Sequence, residues 1–205
     1  MEGVFLVKVI EKLDAEESIS KFKELLLDKN IHNILIRGFS NDAKVALAFS
    51  ALKELSEYNN GTVVIGNTTV TNEREFLEKG LCEPIPHINL QDTFRIGDLS
   101  VRFTKWNKHK NSPFNWNDDF AIFHPVQSVL YSDKNCNDFK KVLSNSKAKK
   151  NILLTTNDFC THPEKLYDEV DAVLILDTTM LDDKHKEEFN NIKRNLIDQG
   201  KELPY

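Results

Sequence analysis

The chain has 205 residues, a net charge of −5 at pH 7, 40% hydrophobic residues and 29% charged residues. This length suits one large domain, and the acidic balance argues against a nucleic-acid-binding surface that covers the whole molecule, although a local basic patch is compatible with it. Cys82, Cys136 and Cys160 are odd in number and lack C-x-x-C spacing, which argues against a disulfide framework and against a cysteine-rich zinc site.

The apolar runs of the chain are short. The opening stretch MEGVFLVKVIEKLD becomes charged too soon for a secretory signal, and AVLIL has the length of a strand rather than of a membrane span. We therefore expect a cytoplasmic protein with no membrane segment.

The first eighty residues alternate between apolar runs of strand length and helical periodicity. The predicted elements are a strand at 4–10, a helix after Asp14, a strand at 34–36, a helix capped by Asn41 or Asp42, a strand at 63–65, and a short helix at 73–79 capped by Thr71 or Asn72.

The segment 81–133 differs in character, because its prolines exclude long helices and its apolar runs are short. It predicts a β-rich insertion with two strands around a Gly97-Asp98 turn and further strands at DFAIF and SVLYS. Alternation then resumes with a helix at 138–143, strands at 152–154 and 173–176, a short helix after Pro163, and a last helix from near Asp182. The pattern predicts a single α/β domain over 1–205, with a mostly parallel sheet of βαβ units flanked by helices.

Two stretches are similar to each other: NILIRGFSND at 33–42 and NILLTTND at 151–158. Each begins a predicted βαβ unit in which a polar residue and two threonines follow the second strand. Two interpretations stay open. Either the chain contains two related half-domains, or two unrelated βαβ units have converged on apolar strands and polar helix caps.

Polar side chains follow the predicted parallel strands. Because the carboxyl ends of such strands meet at one edge of a sheet, these residues predict a site for a phosphorylated ligand beside helix N-termini. The candidate ligand-binding residues are Ser40, Asn41, Asn67, Thr68, Thr156, Asn157 and Thr178. Each residue alone is also explained as a helix cap.

A second hypothesis assigns chemistry to the same edge. Asp42, Asp158 and Asp177 could together hold Mg²⁺, a cation that prefers carboxylate and phosphate oxygens, while His124 assists as a general base. We commit to no metal ligand from the sequence. The motifs G-x4-G-K-[ST], G-x-G-x-x-G, G-x-S-x-G and H-E-x-x-H are absent.

The stretch ILIRGFSNDAKVALAFSALKEL followed by TVVIGNTTVT resembles the opening of a toprim domain, as in primases. That resemblance implies metal-dependent chemistry, but Arg37 stands before Gly38 where the family has its catalytic Glu, and TTND alone represents the later Asp-x-Asp. The stretch is also similar to phospholipase-D-like nucleases, whose His-x-Lys pair the chain lacks.

The stretch VRFTKWNKHKNSPFNW is basic and aromatic within an acidic protein. Cations interleaved with aromatic rings are typical of single-stranded nucleic-acid sites, where the charges meet phosphates and the rings stack on bases. The candidate nucleic-acid-binding residues are Arg102, Lys105, Trp106, Lys108 and Lys110. The alternative is a hairpin whose rings reach the core and whose lysines protect an exposed edge.

Three functions are therefore compatible with the sequence. The first is a binding module for a phosphorylated small molecule or single-stranded nucleic acid at the strand ends. The second is a Mg²⁺-dependent phosphoesterase or nuclease, and the third is a subunit that docks on a protein partner through the aromatic insertion.

Overall fold

Eight strands of the described chain form one sheet. The computed structural model describes residues 9–156 and 160–205. The strands are β1 (Val9–Leu13), β2 (Asn33–Arg37), β3 (Asn60–Ile65), β4 (Thr93–Ile96), β5 (Leu99–Lys105), β6 (Phe120–His124), β7 (Lys150–Leu154) and β8 (Ala172–Leu176). Their spatial order is β1-β8-β2-β7-β6-β3-β5-β4. Every neighbouring pair is parallel except β4 and β5, which form an antiparallel hairpin. The predicted α/β fold with a mostly parallel sheet is confirmed.

Helices cover both faces of this sheet. They are α1 (Ala15–Leu27), α2 (Asn41–Glu54), α3 (Val70–Leu81), α4 (Asp133–Asn145) and α5 (Asp183–Asp198), with 3₁₀ helices at Trp106–Lys108, Gln127–Val129 and His162–Glu169. Alternate strand residues face opposite cores: Ile34 and Ile36 pack under α1, α2 and α3, whereas Leu35 faces the core under α4. Burial on both sides explains why the strands read as continuous apolar runs.

The segment predicted as a β-rich insertion, 81–133, contributes three strands to this same sheet. β4 and β5 form the expected hairpin around Gly97, and β6 lies between β3 and β7. The strand expected at SVLYS is wrong: Gln127–Val129 form a 3₁₀ turn, and Ser132 caps α4 directly afterwards. The apolar side chains of Val129 and Leu130 are nevertheless buried, because the turn packs in the core beneath α4.

The two similar stretches form neighbouring strands. β2 and β7 pair in parallel with Asn33 opposite Asn151 and Ile34 opposite Ile152, and the Asn151 Nδ2 donates to Asn33 Oδ1 at 2.8 Å. The units that follow them differ, however. The chain from β2 passes α2 on one face to reach β3, while the chain from β7 passes His162–Glu169 on the other face to reach β8 on the opposite side. This topology favours convergence of two strands over duplication of half-domains.

Of four predicted helix starts, two are confirmed and two lie a few residues earlier. Asp14 and Asp182 cap α1 and α5 as expected. Ser40 rather than Asn41 or Asp42 caps α2, and Thr69 rather than Thr71 or Asn72 caps α3. In both cases the capping residue is the last one with an extended backbone before the helix. Its side-chain oxygen accepts a hydrogen bond from the amide three residues later.

Two further predictions concern the ends of the chain and its cysteines. The strand expected at 4–10 falls largely outside the described residues, which begin with β1. Cys82 is exposed, Cys160 is half-buried, Cys136 is buried, and none of the three forms a disulfide. No helix in the described ranges is both long enough and apolar enough to cross a bilayer.

Candidate functional site

The carboxyl ends of the parallel strands gather most of the predicted ligand-binding residues at one edge. Register places the end of β3 beside the ends of β5 and β6, since Ile65 pairs with both Lys105 and His124. The turns after β2, β3, β7 and β8 therefore open on the same edge, which we call the carboxyl edge. It carries Ser40, Asn41, Asn67, Thr68, Thr156 and Thr178, whereas Asn157 lies outside the described residues.

The turn between β2 and α2 is stabilised by hydrogen bonds from Lys44 on α2. Gly38 begins the turn with φ +132°, and a Cβ at this position would lie 2.5 Å from the Leu176 carbonyl oxygen, so only glycine fits. Ser40 Oγ accepts from the Ala43 amide at 3.3 Å. Lys44 is fully buried, and its Nζ donates to the Gly38 carbonyl and to the Thr156 carbonyl, the latter at 2.7 Å.

This turn has the spacing of a phosphate-binding P-loop with two changes. The motif G-x4-G-K-[ST] uses its second glycine for backbone approach, its lysine for phosphate and its hydroxyl for Mg²⁺. Here Ala43 replaces the second glycine and Val45, which is fully buried, replaces the hydroxyl residue. The Lys44 ammonium donates to backbone carbonyl oxygens inside the protein and is not exposed to a phosphate ligand. Sequence reasoning missed Lys44, although the G-x4-A-K spacing after a strand was a usable signal.

His124 lies at the end of β6 in a buried polar network. Its Nδ1 is 2.8 Å from Glu73 Oε1, and its Nε2 is 2.9 Å from Asn41 Oδ1. Because an amide oxygen only accepts, Nε2 is the donor in the contact with Asn41, and the contact with Glu73 needs a hydrogen on one of its two atoms. His124 is 1% exposed, which leaves no room for a substrate at its ring. Its catalytic role stays a prediction, and the network favours a structural one.

The three aspartates of the magnesium hypothesis have separate surroundings. Asp42 is exposed on the first turn of α2, and its Oδ1 accepts from Asn41 Nδ2 at 3.3 Å. Asp177 accepts from the Thr179 amide at 2.9 Å and the Thr179 hydroxyl at 2.7 Å, and it lies 3.5 Å from the Lys12 ammonium. Burial raises the pKa of Asp177, but these contacts outweigh it, so the pKa lies below its ordinary value.

Asp158 is outside the described residues. Among the residues that the structure describes, no group of three His, Cys, Asp or Glu side chains is close enough to hold a metal ion.

Asn67 and Trp106 bind each other beside the β3–α3 turn. Trp106 Nε1 donates to Asn67 Oδ1 at 2.8 Å, and Asn67 Nδ2 donates to the Ser128 carbonyl at 3.0 Å. The Trp106 ring is 4% exposed, packs edge-on against Phe139, and has the Lys110 ammonium 4.8 Å from its centroid. The predicted stacking of a base on Trp106 is untested, and this burial favours the core role.

Of the remaining hydroxyl residues, Thr156 is half-buried and Thr178 is buried. Thr156 binds Gln127 twice, since its amide donates to Gln127 Oε1 at 2.9 Å and its hydroxyl accepts from Gln127 Nε2. Thr178 is fully buried, and its Oγ1 has no hydrogen-bond partner in the described part of the chain.

A cavity of about 560 Å³ opens on the carboxyl edge where the β3–α3 turn meets the residues after β5. It is lined by Val70, Thr71, Arg74, His87, Ile88, Asn89, Leu90, Gln91 and Lys108. The lining contains apolar side chains, two side-chain amides, and three side chains that carry or can carry positive charge. Of these three, the sequence singled out Lys108 alone.

Lys105, at the end of β5, is close enough to Lys108 of the cavity wall for the two charges to interact. Its ammonium donates to the Thr68 carbonyl and has no carboxylate partner among the described residues. Burial lowers the pKa of Lys105, the negative charge of Glu73 partly offsets this, and the positive charge of Lys108 lowers the pKa further. Lys105 is thus a cation that its surroundings stabilise poorly.

Arg102 is separated from the other predicted basic residues. Its guanidinium donates to Asp118 Oδ1, just before β6 begins, and it lines a second cavity at the amino ends of the strands. Lys110 donates to Asp138 Oδ2 at 2.9 Å on α4. The structure therefore brings Lys105 and Lys108 together and places Arg102 elsewhere.

Neither a protein-family model, nor a curated protein, nor a solved structure matches this chain.

Proposed function

We propose that this protein is an α/β module that binds a phosphorylated ligand at the carboxyl edge, without an assigned reaction. The observation that carries the proposal is the cavity of about 560 Å³ with Arg74, His87 and Lys108 in its wall. Its volume lies within the range of about 300–1,000 Å³ that small-molecule sites occupy. We also propose a cytoplasmic location, because free cysteines are typical of a reducing compartment.

The charge balance around the cavity supports an anionic ligand. Lys105 and Lys108 repel each other, and Lys105 has only a backbone carbonyl as its hydrogen-bond acceptor. On α3, Glu73 is fully buried and bound to His124, while Glu78 lies 3.7 Å from Arg74 and neutralises part of its charge. A phosphate group would relieve the repulsion and offset the desolvation of Lys105.

The backbone of α3 adds donors to the same cavity. Thr69 accepts from the amides of Asn72, through its side chain, and Glu73, through its carbonyl. The amides of Val70 and Thr71 have no acceptor in the described ranges, and both residues line the cavity. Unpaired amides at a helix N-terminus favour anions through their hydrogen bonds and the helix dipole.

The test is calorimetric titration with pyrophosphate and with a purine nucleotide, on the wild type and on Lys108→Glu. Removing a charged hydrogen bond of about 1.5–3 kcal/mol weakens binding by about 10- to 150-fold. Lys29→Glu is the matched control, because Lys29 is equally exposed but lies beyond α1 at the opposite edge.

The proposal fails if neither ligand binds the wild type, or if both variants bind as tightly as the wild type. An oligonucleotide is the second arm of the experiment. Strand binding that Lys108→Glu weakens, with no binding of the nucleotide, would shift the assignment of this cavity from a small phosphorylated molecule to nucleic acid.

A further inference from the structure

Trp116 differs from the other aromatic residues of the basic stretch 101–116. Phe103, Trp106 and Phe114 are buried in the two cores, where they pack as ordinary apolar side chains. Trp116 is 67% exposed, although a ring of this size gains much from burial. An exposed tryptophan beside a cavity is the usual form of a stacking platform.

The cavity beside Trp116 has about 470 Å³ and lies at the amino ends of the strands, opposite the carboxyl edge. It is lined by Asn60, Gly61, Thr93, Ser100, Arg102, Asn115, Trp116, Asn117 and Asp118. Asp118 is 2% exposed and bound by Thr62 and Arg102, so its charge is compensated. What the cavity offers is one indole face, three amide side chains, two hydroxyls and a guanidinium.

Asn115 supplies a second observation at the same cavity. Its backbone is left-handed, with φ 60°, which is uncommon for a residue other than glycine. Its Nδ2 is buried and has no acceptor within the described part of the chain. A buried donor without an acceptor is costly, so the loop keeps this conformation against that cost.

Positive charge surrounds the Trp116 loop. The Lys147 amide donates to the Phe114 carbonyl at 2.9 Å and the Lys149 amide donates to the Asp118 carbonyl at 3.1 Å, so these two lysines flank the loop from the neighbouring segment. Lys149 is paired with Asp119. Lys147 is exposed and has no ion-pair partner among the described residues.

We infer that this amino-edge cavity binds a base of single-stranded nucleic acid, with Trp116 as the stacking platform. The amides of Asn115 and Asn117 provide donors and acceptors for the edge of the base, as sequence-reading RNA and DNA sites do. Lys147 and Arg102, whose side chain is 56% exposed despite its pairing with Asp118, are the cations that would contact the adjoining phosphates. This site is independent of the phosphate cavity at the carboxyl edge, because the two share no residue.

The test is binding of a fluorescently labelled oligodeoxythymidylate of roughly 12 nucleotides, followed by anisotropy and by quenching of tryptophan fluorescence. Trp116→Ala should weaken binding by about 5- to 150-fold, the loss expected for one stacked base. Trp116→Phe should retain most of the affinity. Tyr131→Ala is the control, since Tyr131 is 69% exposed and lies near α4 rather than in the cavity.

Charge reversal gives a second readout. Lys147→Glu should lower the slope of log affinity against log salt by roughly 0.7 for one lost phosphate contact, while Lys186→Glu on α5 should leave it unchanged. Equal binding by Trp116→Ala and the wild type would overturn the inference. So would quenching by a neutral oligosaccharide but not by the oligonucleotide, because the cavity would then be a sugar site. Either result would leave the carboxyl-edge proposal unaffected.

Discussion

Removing the His124 ring should expose how much the buried network contributes to stability. In the native protein Glu73 is fully buried, one of its oxygens is 2.8 Å from His124 Nδ1, and the other has no partner in the described residues. His124→Leu leaves that carboxyl group without any partner. Breaking a buried pair in this way lowers the free energy of unfolding by about 3–5 kcal/mol, a large share of the 5–15 kcal/mol of a typical domain.

The reverse change should be milder. Glu73→Met removes the buried carboxyl group and leaves His124 able to donate from Nε2 to Asn41, so only Nδ1 loses its partner. The expected loss is about 1–3 kcal/mol, the cost of one unsatisfied buried polar atom. The double variant His124→Leu, Glu73→Met should be more stable than His124→Leu alone, because no carboxyl group is then stranded.

Urea denaturation of the three variants and the wild type measures these differences, provided that the m-values agree. Losses that simply add in the double variant would refute the coupling between Glu73 and His124. A loss under about 1 kcal/mol for His124→Leu would show that the Glu73 carboxyl group does not depend on the histidine.

Three further predictions concern single side chains. Trp106→Ala should lower the free energy of unfolding by about 3–5 kcal/mol as a core truncation, whereas Trp116→Ala should change it by no more than about 0.5 kcal/mol; chemical denaturation compares them. Burial raises the pKa of Asp119, but Lys149 and two backbone amides outweigh it and hold the pKa below 3.8. The stabilisation by ionised Asp119 is therefore present above about pH 4 and lost as pH falls. The free energy of unfolding of Asp119→Asn should consequently fall less steeply than that of the wild type below that pH. Burial raises the pKa of Tyr58 to about 12. The contribution of Tyr58 to stability is then present below about pH 10 and lost as pH rises. Tyr58→Phe should remove this loss when the free energy of unfolding is measured at increasing alkaline pH.

The sheet could be predicted from the sequence because its strands are buried on both faces. All four strands expected to be parallel, at 34–36, 63–65, 152–154 and 173–176, lie in the observed sheet. The strand order could not be predicted, because apolar runs of similar composition do not specify their neighbours. The segment 127–129 belongs to an apolar run of strand length, but its backbone forms a 3₁₀ turn that is buried in the core.

The candidate site was harder to predict, because it depends on which side chains turn inward. Asn41 looked like a helix cap but points to His124, and Ser40, one residue earlier, caps α2. Trp106 and Trp116 stand ten residues apart in one basic stretch, yet one is buried and the other is exposed. Local composition does not distinguish them, since burial follows from the packing of α4 against the 3₁₀ helix that contains Trp106.

The most direct test of the carboxyl-edge proposal is a map of backbone amide shifts in isotope-labelled protein titrated with pyrophosphate. The proposal predicts saturable shifts that are largest at the amides of Val70 and Thr71 and near Lys108, and that are lost in Lys108→Glu. Shifts centred instead on the β2–α2 turn between Gly38 and Lys44, or no saturable shifts at all, would contradict it.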